Sequence, residues 1–247
     1  MDKLITFGPS NQTLEMFSSV HINTMLVIAL CCIAFIFFSR RLNSERDIKM
    51  TGFILGTITL LQQVSLYVWY TFSGMWSLQI TLPLQLCDIS IFIAILVMFK
   101  RSQYLMELLY FWGLGGATQA ILTPDIGEFT FPHFAFYQFF LSHSLIIITV
   151  IYLVAAYRFR PTFKSVIRVF VITNIYGLMM LPVNYLTGGN YLFLHEKPAG
   201  GSILDFMGPW PWYLLSLEAL AIVVFLLLYL PFAIKKPEGS NPPTLSA

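Results

Sequence analysis

An all-α, polytopic membrane fold is predicted by three features of this sequence: a shortage of charge, apolar runs of membrane-spanning length, and basic residues confined to alternate loops. Of 247 residues, 57% are hydrophobic, 16% aromatic and only 11% charged, whereas soluble domains carry roughly a quarter charged residues. The mean hydropathy is +0.75. The charges gather in short clusters between apolar runs of about 20 residues, the length a helix needs to cross a hydrocarbon core. A net charge of +2, with the basic residues interrupted by hydrophobic spans, excludes a nucleic-acid binder. Three cysteines exclude a disulfide scaffold.

Seven spans are predicted, at residues 20–38, 51–71, 80–99, 104–121, 136–157, 165–186 and 212–234. The first lacks a basic leader beyond Lys3 and is followed by Arg40 and Arg41 rather than a small-residue cleavage site, so it is expected to be retained. Arg46 and Lys49 lie in the same loop. Lys100 and Arg101 follow the third span, Arg158, Arg160, Lys164 and Arg168 the fifth, and Lys235 and Lys236 the seventh. Twelve of the 14 lysines and arginines thus fall on one side, leaving Lys3 and Lys197. The positive-inside rule makes that side cytoplasmic, with the N-terminus outside and the C-terminus inside. Residues 1–236 are expected to form one seven-helix domain, followed by a disordered tail at 237–247.

The outer loops, TPDIGEFTFPHF at 123–134 and the stretch containing GGNYLFLHEKP and GPWPWY, are rich in Pro, Gly and aromatics. Trp210, Trp212 and Tyr213 suit an interfacial belt at the start of the last span. His21 and His195 are expected at the interface. Glu107, one turn inside the fourth span, is expected to reach the interface or to pair with Lys100 or Arg101.

Polar residues within the spans need a partner or a role. Counting helix rise from the outer ends puts Cys87, seven residues into the third span, about 10 Å deep. His143, seven residues into the fifth, is at the same level, and Glu218 is close to it. Gln85, Asp88, Gln119, Gln138 and Asn184 join this layer. One reading is a hydrogen-bonded network that fixes helix packing; the other is a buried pathway, pocket or catalytic site. Cys31 and Cys32, among Ala, Ile and Phe, behave as small hydrophobes, but Cys87 shares its depth with His143, and cysteine with histidine is a pairing for covalent catalysis. No CxxC, HxxxH or HExxH spacing occurs, so no metal or other cofactor is expected. Gly113, Gly115 and Gly116 form no phosphate-binding fingerprint and instead suit close helix contact.

The segments LPLQLCDISIF at 82–92, FWGLGGATQAILTPD at 111–125, FPHFAFYQFFLSH at 131–143 and GGNYLFLHEKP at 188–198 occur in an order that resembles the YwaF-like integral membrane proteins of bacteria. The resemblance covers nearly all seven spans and implies the bacterial cell membrane. More distant animal relatives are acyltransferases that move polyunsaturated acyl chains onto lyso ether phospholipids. In those enzymes an intramembrane cysteine and histidine form the catalytic centre, and the matching positions are Cys87 in PLQLC and His143 in FFLSH. The chain departs from many members at Gln85, where they carry histidine; a glutamine cannot act as a base near neutral pH. The resemblance also draws in Asn190, Tyr191 and Lys197 of the last outer loop, with Lys197 meeting a lipid phosphate and Tyr191 covering a pocket mouth.

The leading expectation is a thiol acyltransferase, or a hydrolase when water is the acceptor. Cys87 attacks an acyl ester, His143 carries the proton, and Gln85, Gln119 or Asn184 stabilises the oxyanion. Membrane lipids are the expected partners. The competing reading is a transporter or small-molecule receptor using Asp88, His143 and Glu218; a packing or accessory subunit is the third.

Overall fold

The computed structural model describes residues 13–198 and 203–234; Lys3, Lys235, Lys236 and the 237–247 tail lie outside the described residues. Ser18 starts the first helix by accepting a hydrogen bond from the His21 backbone at 3.4 Å, and α1 runs Ser19–Arg40. Then come α2 (Glu45–Phe72), α3 (Leu86–Phe99), α4 (Gln103–Leu108), α5 (Leu114–Leu122), α6 (Phe134–Ala155), α7 (Phe163–Thr187) and α8 (Trp212–Ile234). A π-helical turn, Leu109–Gly113, joins α4 to α5, so 103–122 forms one continuous, distorted helix. Five helices, α1, α2, α6, α7 and α8, are long and apolar enough to cross a membrane.

Two of the expected spans differ from simple helices. The third begins at Leu86, not at residue 80, and is only 14 residues long. Pro83 explains the late start, since it lacks an N–H and pushes Leu82 out of the helical region. Asp88 Oδ2 then accepts the Gln85 backbone N–H at 3.2 Å, which caps the helix where its first turn leaves donors unpaired. The fourth span carries the π turn, where Gly113 lets the segment approach α6: a Cβ there would lie 2.8 Å from Ile146 Cγ2. Apolar periodicity cannot reveal a one-residue insertion of this kind.

α3 is the central element, packed against α2, α6 and the π turn, while α1 lies on α6 and α7 on α8. The buried core gathers Ile91, Ala94 and Val97 of α3, Leu109 and Phe111 of the π turn, and Ile146, Val150 and Leu153 of α6. At Gly56 a Cβ would meet Met98 Cβ at 2.8 Å, so glycine sets the closeness of α2 to α3. The outward surface is apolar as well: Leu30 of α1, Leu178 of α7 and Leu227 of α8 are 60% exposed or more. A bundle that is apolar both inside and out is suited to hydrocarbon, not water.

His21 is not interfacial but fully buried. Its Nδ1 accepts the Phe17 N–H at 3.0 Å, which leaves Nε2–H to donate to the Ile121 carbonyl at 2.8 Å and ties α1 to the end of α5. Glu107 pairs with Arg168 of α7 rather than with Lys100 or Arg101. The π turn and the α4–α7 packing bring Arg168 to Glu107 from 61 positions away, a proximity that loop order hides.

Candidate functional site

The first turn of α3 carries Gln85 as its cap, Cys87 and Asp88. Cys87 is a free, partly buried thiol, and its Sγ would stand 3.1 Å from a Cβ placed at Gly116 of α5. The glycine is what leaves room for the sulfur. Tyr67 and Tyr70 of α2, Tyr176 of α7 and Tyr191 lie within electrostatic range of Asp88.

His143 sits on α6, which packs directly against α3. The imidazole is buried and stacks on Phe139 with ring centroids 4.3 Å apart. Its Nδ1 lies 2.7 Å from the Phe139 carbonyl. A carbonyl only accepts, so Nδ1 carries the proton and a neutral ring presents Nε2 as the basic nitrogen. The hydrogen bond His143 makes is thus to its own helix rather than to Cys87.

The remaining polar residues are held by specific partners. Gln138 of α6 and Gln62 of α2 form a reciprocal pair, with Gln62 Nε2 donating to Gln138 Oε1 and Gln138 Nε2 to the Gln62 carbonyl at 3.1 Å. Gln119 Nε2 donates to Thr123 Oγ1 at 3.0 Å. Glu218 accepts from Asn174 Nδ2 at 3.0 Å, which joins α8 to α7. Gln85 Oε1 accepts the Leu192 N–H at 2.9 Å, so this side chain fastens a loop.

That loop, 188–198, closes over the start of α3. Asn184, buried at the end of α7, donates to the Tyr191 carbonyl at 2.9 Å and accepts its N–H at 2.7 Å. Tyr191 is itself buried; its hydroxyl donates to the Leu78 carbonyl at 2.9 Å and accepts the Leu82 N–H at 3.3 Å. Burial pushes its phenol above the ordinary range, so it stays a donor. Tyr176 adds a bond to the Leu84 carbonyl at 2.6 Å, and these ties hold the non-helical segment before α3. Leu192 and Phe193 take left-handed φ values of 61° and 52°, a strain of about 1–3 kcal/mol each that the surrounding bonds must hold. Asn190 binds the backbone of His195 and Glu196, and Lys197 Nζ lies 5.7 Å from the centre of the Tyr213 ring.

Asn184→Ala is expected to lose two buried bonds and destabilise the protein by about 2–3 kcal/mol. A lowered thermal midpoint with faster proteolysis within 188–198 checks it; an unchanged midpoint would remove the loop from this account.

Sequence reading missed Asn174, Tyr176 and Thr173, the last accepting from Trp112 Nε1 at 2.7 Å. Asn174 had a usable signal, a carboxamide in the middle of an apolar span. Among the described residues no group of three or more His, Cys, Asp or Glu could hold a metal ion.

An apolar-surfaced helical bundle with most of its polar groups paired inside defines a helical integral membrane protein. This chain belongs to the TMEM164 family, whose model matches residues 16–229. An uncharacterized protein of Treponema pallidum (strain Nichols) is 30% identical over 156 residues, covering 61% of this chain and 62% of that protein. The match therefore spans less than two thirds of the relative's length. No solved structure matches.

Proposed function

We propose that this protein is a lipid-modifying acyltransferase of the bacterial cell membrane, with seven spans, the N-terminus outside and the C-terminus cytoplasmic. The short α3 fits a crossing because the irregular segment before it is covered by Tyr176 and Tyr191, and non-helical backbone at membrane depth is tolerated where protein buries it. The observation that carries the reaction is the place of Cys87 in the first turn of α3. A helix start stabilises negative charge, and Gly116 leaves space beside the sulfur.

In the first half-reaction the Cys87 sulfur attacks the carbonyl of a phospholipid ester. The thiol proton passes to His143 Nε2 and on to the leaving glycerol oxygen, forming an acyl thioester and a lysolipid. In the second, a lysolipid hydroxyl attacks the thioester, its proton returns through His143 to sulfur, and a new ester forms. Water in place of the lysolipid gives a free fatty acid. The small motion that brings Nε2 to the thiol is part of this proposal. The likeness of PLQLC and FFLSH to the animal acyltransferase motifs supports it.

Purified protein incubated with an alkyne-tagged phospholipid tests the reading. A hydroxylamine-sensitive acyl group on Cys87 supports it; a folded protein that never acquires one returns the polar layer to ligand binding or transport. The solute-pathway reading has less support, because Gln138, Asn184 and Glu218 are engaged by protein groups. Gly116→Ala, whose methyl crowds Sγ, is expected to slow acylation about ten- to a hundredfold while the melting curve stays close to wild type. Unchanged acylation would place the reacting atoms elsewhere.

A further inference from the structure

At the basic end of the bundle two buried polar atoms have no hydrogen-bond partner among the described residues, Arg101 Nη2 and Ser39 Oγ. Arg101 lies in the turn from α3 to α4, with its guanidinium carbon 4.3 Å from the centre of the Tyr157 ring. Tyr157 packs edge-on against Tyr152 at 5.1 Å. Tyr152 in turn donates to the Ile48 carbonyl of α2 and meets Phe35 of α1 at 6.3 Å, one helical turn before Ser39. The tyrosine pair therefore links Arg101, in the α3–α4 turn, to the helices on either side of the α1–α2 turn.

A guanidinium presents five N–H donors in a plane that matches phosphate and carboxylate oxygens. Stacking on a ring engages its face and leaves the edge donors unfilled. Glu45 and Glu107 are engaged elsewhere. Glu45 lies in the electrostatic range of Arg101 but pairs with Lys49 at 2.8 Å, and Glu107 pairs with Arg168. Arg40, Arg41, Arg46, Lys49 and Lys100 outnumber Glu45 and Asp47 around these turns in sequence, so the net local charge is positive.

We propose that these two turns form a phosphate-binding site centred on Arg101, with Tyr157 as its platform. The ligand is a phosphate group, carried by an anionic phospholipid of the adjacent leaflet or free in solution. The site is independent of the acyl-transfer reading, lying at the other end of α3 from Cys87.

The test uses the full chain in nanodiscs of phosphatidylcholine alone or mixed with phosphatidylglycerol, reading the thermal midpoint and the lipid retained in native mass spectrometry. Wild type is expected to retain phosphatidylglycerol over phosphatidylcholine and to melt higher with it. Arg101→Gln loses that retention about tenfold. Lys100→Gln, which removes the same charge from an exposed neighbour, keeps it within about twofold. Arg101→Lys keeps the charge but not the planar fork and retains an intermediate amount. Inorganic phosphate added to phosphatidylcholine discs separates the sources: no shift assigns the site to lipid, whereas a shift matching phosphatidylglycerol assigns it to the free anion. Equal retention by wild type, Arg101→Gln and Lys100→Gln overturns the proposal, as does a wild type indifferent to both anions. If Arg101→Gln does not fold, Arg101→Lys against Lys100→Gln decides in the same way, equal retention again being fatal.

Discussion

Cys87→Ala is expected to abolish acyl transfer, with a loss of at least about 10³-fold and no hydroxylamine-sensitive acyl group on the protein. The thiol supplies the only covalent step in the proposed cycle, so no neighbouring group compensates for it. The substitution removes one sulfur from a partly buried position next to a glycine, and the fold is expected to survive. Cys31→Ala and Cys32→Ala serve as controls. Both thiols sit on α1, where Cys31 is exposed and Cys32 partly so, and both variants are expected to keep wild-type acylation. His143→Gln separates the two roles in the pair. Its amide can still donate to the Phe139 carbonyl but cannot take up a proton at neutral pH, so acylation falls by about 10²- to 10⁴-fold. Activity surviving in Cys87→Ala would end the thioester mechanism whatever the histidine variant does.

Arg168→Ala carries the largest expected cost to stability, about 3–5 kcal/mol. Glu107 is 3% exposed, and its carboxylate is held by Arg168 and by Gln103 Nε2 at 3.2 Å. Removing the arginine leaves a buried carboxylate with one neutral donor, and it also strips the cation from the Tyr104 ring, 4.6 Å away. The measurement is the denaturant or thermal midpoint in micelles. The double variant Glu107→Gln/Arg168→Ala is expected to recover a good part of the loss, because an amide no longer needs a counter-charge. A single variant that melts within about 0.5 kcal/mol of wild type would show the pair to be as weak as a surface bridge.

The helices were legible where one physical rule acts over many residues. Hydrocarbon demands long apolar runs, and α1, α6, α7 and α8 follow the predicted bounds within about two residues, whereas α2 starts six residues earlier, at Glu45. The rule lost resolution at α3, where Pro83 and the Gln85–Asp88 cap shorten the helix inside an unbroken hydrophobic stretch, and at the π turn, where hydrophobicity does not change. Depth counting put Cys87 and His143 in one layer without revealing that their helices are neighbours. It also placed Asn184 and Gln85 in that layer without showing that each is bonded to loop backbone.

What the sequence alone determined is the class of protein: an all-α membrane chain, with its basic residues clustered between apolar runs and one cysteine set apart from the other two by polar company. Those properties come from composition and one-dimensional spacing. The tertiary structure decided which polar groups are spent on one another, that α3 lies against α6, and that Arg168 reaches Glu107 while Arg101 Nη2 finds no acceptor among the described residues. Hydrogen bonds and ion pairs are made in three dimensions between residues as much as 118 positions apart, and no local pattern records which partner each one finds.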